Sequence, residues 1–205
     1  MSLKTELIYY SKLCYKSGFI KSTAGNLSVK SKKNLILITP SNKRKNSLKT
    51  KDIVKTDLNG KKLSGAFNPS SELKLHLFIY KHRSDVNAVI HTHPVFITSF
   101  AAAGVSLDKI ILPEMYLTFG KIPLANYAPP STNELASSLK KFVLTYNAVI
   151  LANHGLVTYG KSLEEAYILT EKAEEFAEIY FYSSLLGKQK SLTKNHIKIL
   201  KELKK

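Results

Sequence analysis

His91 and His93 stand two residues apart at the end of the apolar run Asn87-Ala-Val-Ile-His-Thr-His93, which Pro94 closes. Residues i and i+2 of a strand project from one face, so two imidazoles at this spacing can chelate one metal while Thr92 points away. His154 repeats the context. It follows the buried run Val149–Ala152 and precedes Gly155, which allows a sharp exit from the strand. Strand ends are where α/β sheets gather their ligands. Three neutral imidazoles with an open position describe a catalytic divalent-metal site rather than a closed structural one. His76, His82 and His196 lack this strand-end context and are read as structural or surface residues.

Glu72 follows Ser70-Ser71 in the first turn of a helix and has two readings. An acid there complements the helix dipole. A carboxylate near a metal is also a general acid/base. The serines share this ambiguity: they cap the helix, or their hydroxyls join its N-terminal amides in holding a phosphate. Gly25-Asn26 and Ser41-Asn42 are turn signals that can supply further donors.

The elements that must position these groups are legible in outline. Leu3, Leu7, Tyr10 and Cys14 recur at helical spacing, which predicts a helix over 3–17 ending near Gly18. Thr23–Val29 reads as a glycine turn feeding a strand, and Leu35–Ile38 as a strand closed by Thr39-Pro40-Ser41-Asn42. Asn59-Gly60 marks a hairpin. A helix from Ser70 carries Leu73, Leu77 and Tyr80, and further helices are predicted over 95–103 and 134–144. Ser162-Leu-Glu-Glu165 is a capping box opening a helix to Leu186, with Gly187 as its stop. Irregular alternation of strands and helices without repeats or linkers predicts one α/β layered domain. It covers 1–205, with 188–205 as a basic C-terminal tail.

Composition narrows the function classes. A chain of 205 residues with 44% hydrophobic content is neither disordered nor fibrous. No apolar stretch approaches the roughly 20 residues that cross a bilayer. Lys4, Glu6 and Lys12 interrupt the N-terminal apolar residues, so no signal pattern is read there and a cytoplasmic location is expected. The single cysteine, Cys14, excludes an internal disulfide framework and is expected to be a buried structural thiol. The net charge of +16 is concentrated in residues 1–66, where 15 basic residues face 3 acidic ones. Only Arg44 and Arg83 are arginines. Base and phosphate recognition favours arginine, so the lysines read as a solvated surface and nucleic acid is not the expected partner.

Taken together, the motifs resemble the class II aldolase/adducin family. Thr23-Ala-Gly-Asn26, Ile38-Thr-Pro-Ser41, Pro69-Ser-Ser-Glu72, His91-Thr-His93 and Asn153-His-Gly155 occur in that family's order and approximate spacing, within a likeness running from about residue 6 to 186. The segment Ile122–Pro130 belongs to it too. The resemblance implies a three-layer fold, a central and mainly antiparallel sheet flanked by helices. It implies zinc on His91, His93 and His154, with manganese or cobalt as alternatives. Glu72 is then the acid/base and a further metal ligand when substrate is absent. Gly25, Asn26, Ser41, Asn42, Ser70 and Ser71 line a phosphate site. A proton donor at the aldehyde end falls to Glu114 or Tyr116. The implied activity is reversible cleavage of a ketose 1-phosphate to dihydroxyacetone phosphate and an aldehyde, by a homo-oligomer, commonly a tetramer. The same fold also implies alternatives: a dehydratase of the methylthioribulose-phosphate type, a pentulose-phosphate 4-epimerase, or a non-catalytic module like that of adducin.

Overall fold

The computed structural model describes residues 1–203. Its helices are α1 (Leu3–Lys16), α2 (Leu73–His82), α3 (Val95–Ala103), α4 (Pro113–Phe119), α5 (Asn133–Ser138), α6 (Leu163–Leu185) and α7 (Lys194–Leu203). Its strands are β1 (Asn26–Lys30), β2 (Ile36–Ile38), β3 (Val54–Thr56), β4 (Lys62–Ser64), β5 (Ala88–Thr92), β6 (Leu124–Ala125), β7 (Ala148–Leu151) and β8 (Gly155–Gly160). The strands form one sheet in the order β4-β3-β2-β1-β5-β8-β7-β6. Every neighbouring pair is antiparallel except β6 and β7.

Strand alternation divides the core. Val89 and Val157 join residues of α2 and α5 on one face, among them Leu75, Ile79 and Leu135. Leu27, Val29, Ala88 and Ile90 face the other way, onto Leu7 and Cys14 of α1 and Leu163 and Ala166 of α6. A third cluster packs Ile97 and Phe100 of α3 against Ile150, Leu156 and Phe176. Helices therefore cover both faces of the sheet, which is the expected three-layer arrangement. No helix among the described residues is long and apolar enough to cross a membrane.

Capping explains where several helices start. Ser2 accepts from the Thr5 amide at α1, and Ser162 from the Glu165 amide at α6. Helix α3 has Pro94 before it and no local cap. Glu174 of α6 supplies one instead, its carboxylate accepting from the amides of Phe96 and Ile97 at 2.9 Å each.

Among the elements that differ from expectation, two bear on the sheet and its support. The helix predicted over 134–144 ends at Ser138 and tightens into a 3-10 turn over Leu139–Lys141. Arg83 donates to the Val143 carbonyl at 3.0 Å, and the chain must be extended again by Ala148. The second is β8, for which the sequence predicts no strand. Its bounding glycines, Gly155 and Gly160, look like turn punctuation, yet all six residues are buried between β5 and β7.

Candidate active site

Alternation aims the histidines. His91 lies two residues after Val89 and so faces the α2 layer, with His93 just beyond the strand. His154 sits in the tight turn between β7 and β8, where Asn153 takes φ 55°, a left-handed conformation that asparagine tolerates. Gly155 is required by proximity: a Cβ there would stand 2.5 Å from the Thr92 carbonyl oxygen and 2.5 Å from the His93 ring. The β7–β8 hairpin thus brings His154 against the end of β5. Ligand atoms of His91, His93 and His154 all lie within 4.8 Å of one another.

Glu72 joins them. It is the residue before α2 rather than part of its first turn, and its side chain makes no capping bond to that helix. The carboxylate turns into the histidine cluster, with Oε2 3.1 Å from His91 Nε2 and Oε1 3.3 Å from His154 Nε2. Asn26, directly across the β1–β5 ladder from His91, donates its amide to Oε2 at 2.8 Å.

The donor set fits a divalent cation. His91 Nδ1 donates to the Leu156 carbonyl at 2.9 Å, which leaves a lone pair on Nε2. Glu72 Oε1 is buried without a hydrogen-bond partner. Imidazole lone pairs and carboxylate oxygens at these separations repel unless a positive charge lies among them. Burial and the neighbouring histidines push His93 down to about 3 and His154 down to about 4, so both stay neutral and able to ligate. Burial resists ionisation of Glu72. His91, His154 and the Asn26 amide together outweigh it and hold the carboxyl well below the usual range. Burial lowers His91, but the Glu72 charge and hydrogen bond prevail and raise it.

A cavity of about 250 Å³ opens beside this cluster. Its walls include Gly25, Asn26, Ser41, Asn42, Ser70 and Ser71, so all six expected phosphate-site residues meet Glu72, His93 and His154 in one place. Gly25 takes φ 67°, and a Cβ there would lie 2.9 Å from the His91 carbonyl oxygen. Asn42 also adopts the left-handed region, at φ 54°. Glu114 and Tyr116 lie on α4 and do not line this cavity.

Two lining residues escape sequence reasoning: Lys45 and Ser131. Lys45 is the informative one. Its side chain is buried, and Nζ donates to the carbonyls of Thr23 and Lys43 at 2.9 Å each. Burial pushes its ammonium down to about 8. Nothing in the run Lys43-Arg44-Lys45 distinguishes the third cation from its neighbours.

The chain belongs to the Class II Aldolase and Adducin N-terminal domain family, whose model matches residues 5–181. An L-fuculose phosphate aldolase of Methanococcus maripaludis is 38% identical over 177 residues, spanning 86% of this chain and 95% of that protein. A 5-deoxy-D-ribulose 1-phosphate aldolase of Bacillus thuringiensis is 31% identical, over 96% of this chain and 92% of the relative. A 3-oxo-tetronate 4-phosphate decarboxylase of Pectobacterium atrosepticum is also 31% identical, over 91% and 86%. Among solved structures, an L-fuculose 1-phosphate aldolase superposes with a TM-score of 0.91 at 33% identity, covering 98% of this chain and 95% of its own. The expected fold and family are both borne out.

Proposed function

We propose that this chain is a metal-dependent aldolase that reversibly cleaves a ketose 1-phosphate of the L-fuculose 1-phosphate type to dihydroxyacetone phosphate and an aldehyde. The observation that carries this is an ionised Glu72 among three histidines, opening with His93 and His154 onto a cavity lined by serines and turn residues. The relatives named as aldolases of L-fuculose phosphate and 5-deoxy-D-ribulose 1-phosphate support it.

His91, His93 and His154 would hold zinc, or manganese or cobalt in its place, with Glu72 as a further ligand before substrate arrives; the ion supplies Lewis acidity toward the ketone. In the condensation direction Glu72 takes the carbon-bound proton beside that ketone. The electron pair left behind forms the new bond to the aldehyde carbon, whose oxygen then gains a proton. Cleavage reverses these steps. Ser41, Ser70 and Ser71, with the backbone around Gly25, Asn26 and Asn42, would bind the phosphate. Their binding energy is remote from the reacting carbon and orients it. Lys45 adds a cation to the same wall.

The chain would act as one domain over 1–205, in the cytoplasm, as a homo-oligomer and most simply a homotetramer. Of the tail 188–205, the last two residues lie outside those described. Glu114 and Tyr116 stand outside the cavity of a single chain, so either would serve as proton donor from a neighbouring copy.

The test is product analysis on ketose 1-phosphates with zinc, manganese and cobalt. A three-carbon ketone phosphate is the expected product, and its absence from every substrate overturns the aldolase reading. Loss of water would identify a dehydratase, and an isomeric pentulose an epimerase. A second reading rests on the decarboxylase-named relative; carbon dioxide released from 3-oxo-tetronate 4-phosphate would favour it.

A further inference from the structure

His76 was expected to be structural, and it is fully buried in the middle of α2. It is nonetheless wired to the site. Tyr80 OH lies 2.7 Å from Ser28 Oγ, and Ser28 Oγ lies 2.7 Å from His76 Nδ1. On its other side, His76 Nε2 meets Asn26 Oδ1. Asn26 Nδ2 then donates to Glu72 Oε2 at 2.8 Å. Five side chains from β1, α2 and the turn before α2 therefore form one buried hydrogen-bonded chain ending on the carboxylate.

The chemistry of its last member sets the direction of this chain. An ionised carboxylate only accepts, so Asn26 must turn its NH₂ toward Glu72 and its oxygen toward His76. Asn26 Oδ1 also only accepts, so His76 must carry its proton on Nε2. Nδ1 is then a bare lone pair and accepts from the Ser28 hydroxyl, which in turn accepts from Tyr80. Every donor points toward Glu72 and no hydroxyl or ring nitrogen along the path is left over. Burial pushes the His76 ring down to about 3, so it remains neutral and keeps a single N–H. Were the ring reversed, two lone pairs would face each other at Asn26, and its amide would gain by flipping its oxygen against the carboxylate.

We propose that His76 is a positioning residue: held in its Nε2–H form by Ser28 and Tyr80, it locks the Asn26 amide so that an N–H donor always faces Glu72. The donor holds Oε2 beside His91, while Oε1, which lies by His154 and accepts no hydrogen bond, remains for proton transfer. This rests on the reading of Glu72 as the acid/base. It also assigns the Asn26 side chain to Glu72, leaving its second amide hydrogen and the turn backbone for the phosphate.

Two measurements test it. In the ¹⁵N-histidine NMR spectrum of the full chain, His76 should be neutral across the neutral pH range with its proton on Nε2. Ser28→Ala should give a mixture of the two tautomers. A proton on Nδ1 in the wild type overturns the proposal. With L-fuculose 1-phosphate as the probe, His76→Leu should lose about 10–100-fold in kcat, with KM and bound metal little changed, because a donor held against a charged group is lost. His76→Gln, which can return an N–H near the Nε2 position, should recover much of that loss. A folded, metal-replete His76→Leu protein with wild-type kcat overturns the positioning role while Glu72→Gln remains inactive. Wild-type turnover by Glu72→Gln would instead overturn the acid/base reading beneath it. Should His76→Leu fail to fold, the NMR tautomer and His76→Gln decide.

Discussion

Strands β1 and β5 lie side by side at the centre of the sheet, yet their two faces are built from different chemistry. Toward α2 they present Asn26, Ser28 and His91, which bond to His76, Tyr80 and Glu72. Toward α1 and α6 they present Leu27, Val29, Ala88 and Ile90, with Thr92 as the one polar side chain, at the end of β5. The residues named on both faces are buried. Polar groups survive on the first because each finds a partner, and an unpartnered one would cost about 1–3 kcal/mol. The four apolar side chains of the second face carry no such condition and contribute by area alone. A single pair of strands can thus separate the polar candidate site from an apolar core, because alternation sends neighbouring residues to opposite sides.

That separation can be broken by substitution. The largest effect is expected on the polar side: His93→Ala should reduce bound divalent metal from about one per chain and take turnover to background, as read by elemental analysis and the cleavage assay. A variant that keeps its metal and its rate would remove the three-histidine site. Next, Glu72→Gln should lower kcat by about 100- to 10,000-fold, the usual scale of a lost general base; a denaturant midpoint close to wild type would show that the loss is not unfolding.

Ile90→Ala, one residue from His91 but on the other face, should reverse this pattern. We expect a loss of about 2–5 kcal/mol in urea unfolding with kcat per folded molecule unchanged. A matching fall in kcat would erase the distinction between the faces. Ser71→Ala should do less, raising KM or the inhibition constant of inorganic phosphate by about 10-fold, one hydrogen bond to a charged group, with kcat little affected. The smallest effect belongs to Cys14 on the apolar side. Burial pushes its thiol up to about 12, so the nucleophilic thiolate is absent near pH 8. Iodoacetamide should leave the native protein unlabelled and label it once unfolded; rapid native labelling would mean that α1 does not seal this face.

Much of this was legible from local pattern. The i, i+2 spacing of His91 and His93, the strand before His154, the capping serine of α6 and the Asn59-Gly60 turn rest on period and turn chemistry, which belong to short stretches of chain. Glu72 was visible as a candidate because a carboxylate at a helix start has two readings, and the family resemblance favoured the acid/base one. Its position just outside α2 was not, since one residue at a helix boundary depends on what its side chain can reach.

Other features had no local signal. Residues 155–160 are the exception: Val157-Thr158-Tyr159 favours a strand, but the bounding glycines read as turns, and pairing with both β5 and β7 reveals the element. Lys45 looks like any lysine among lysines until folding seals it under the Thr23 carbonyl. His76 looks like a helix-core residue until β1 lays Asn26 and Ser28 across it. The sequence by itself determined the ligand types, their strand-end placement and the family. Tertiary structure alone decided which polar groups share a partner, because a buried hydrogen bond is specified by two or more distant segments at once and no one of them carries the information.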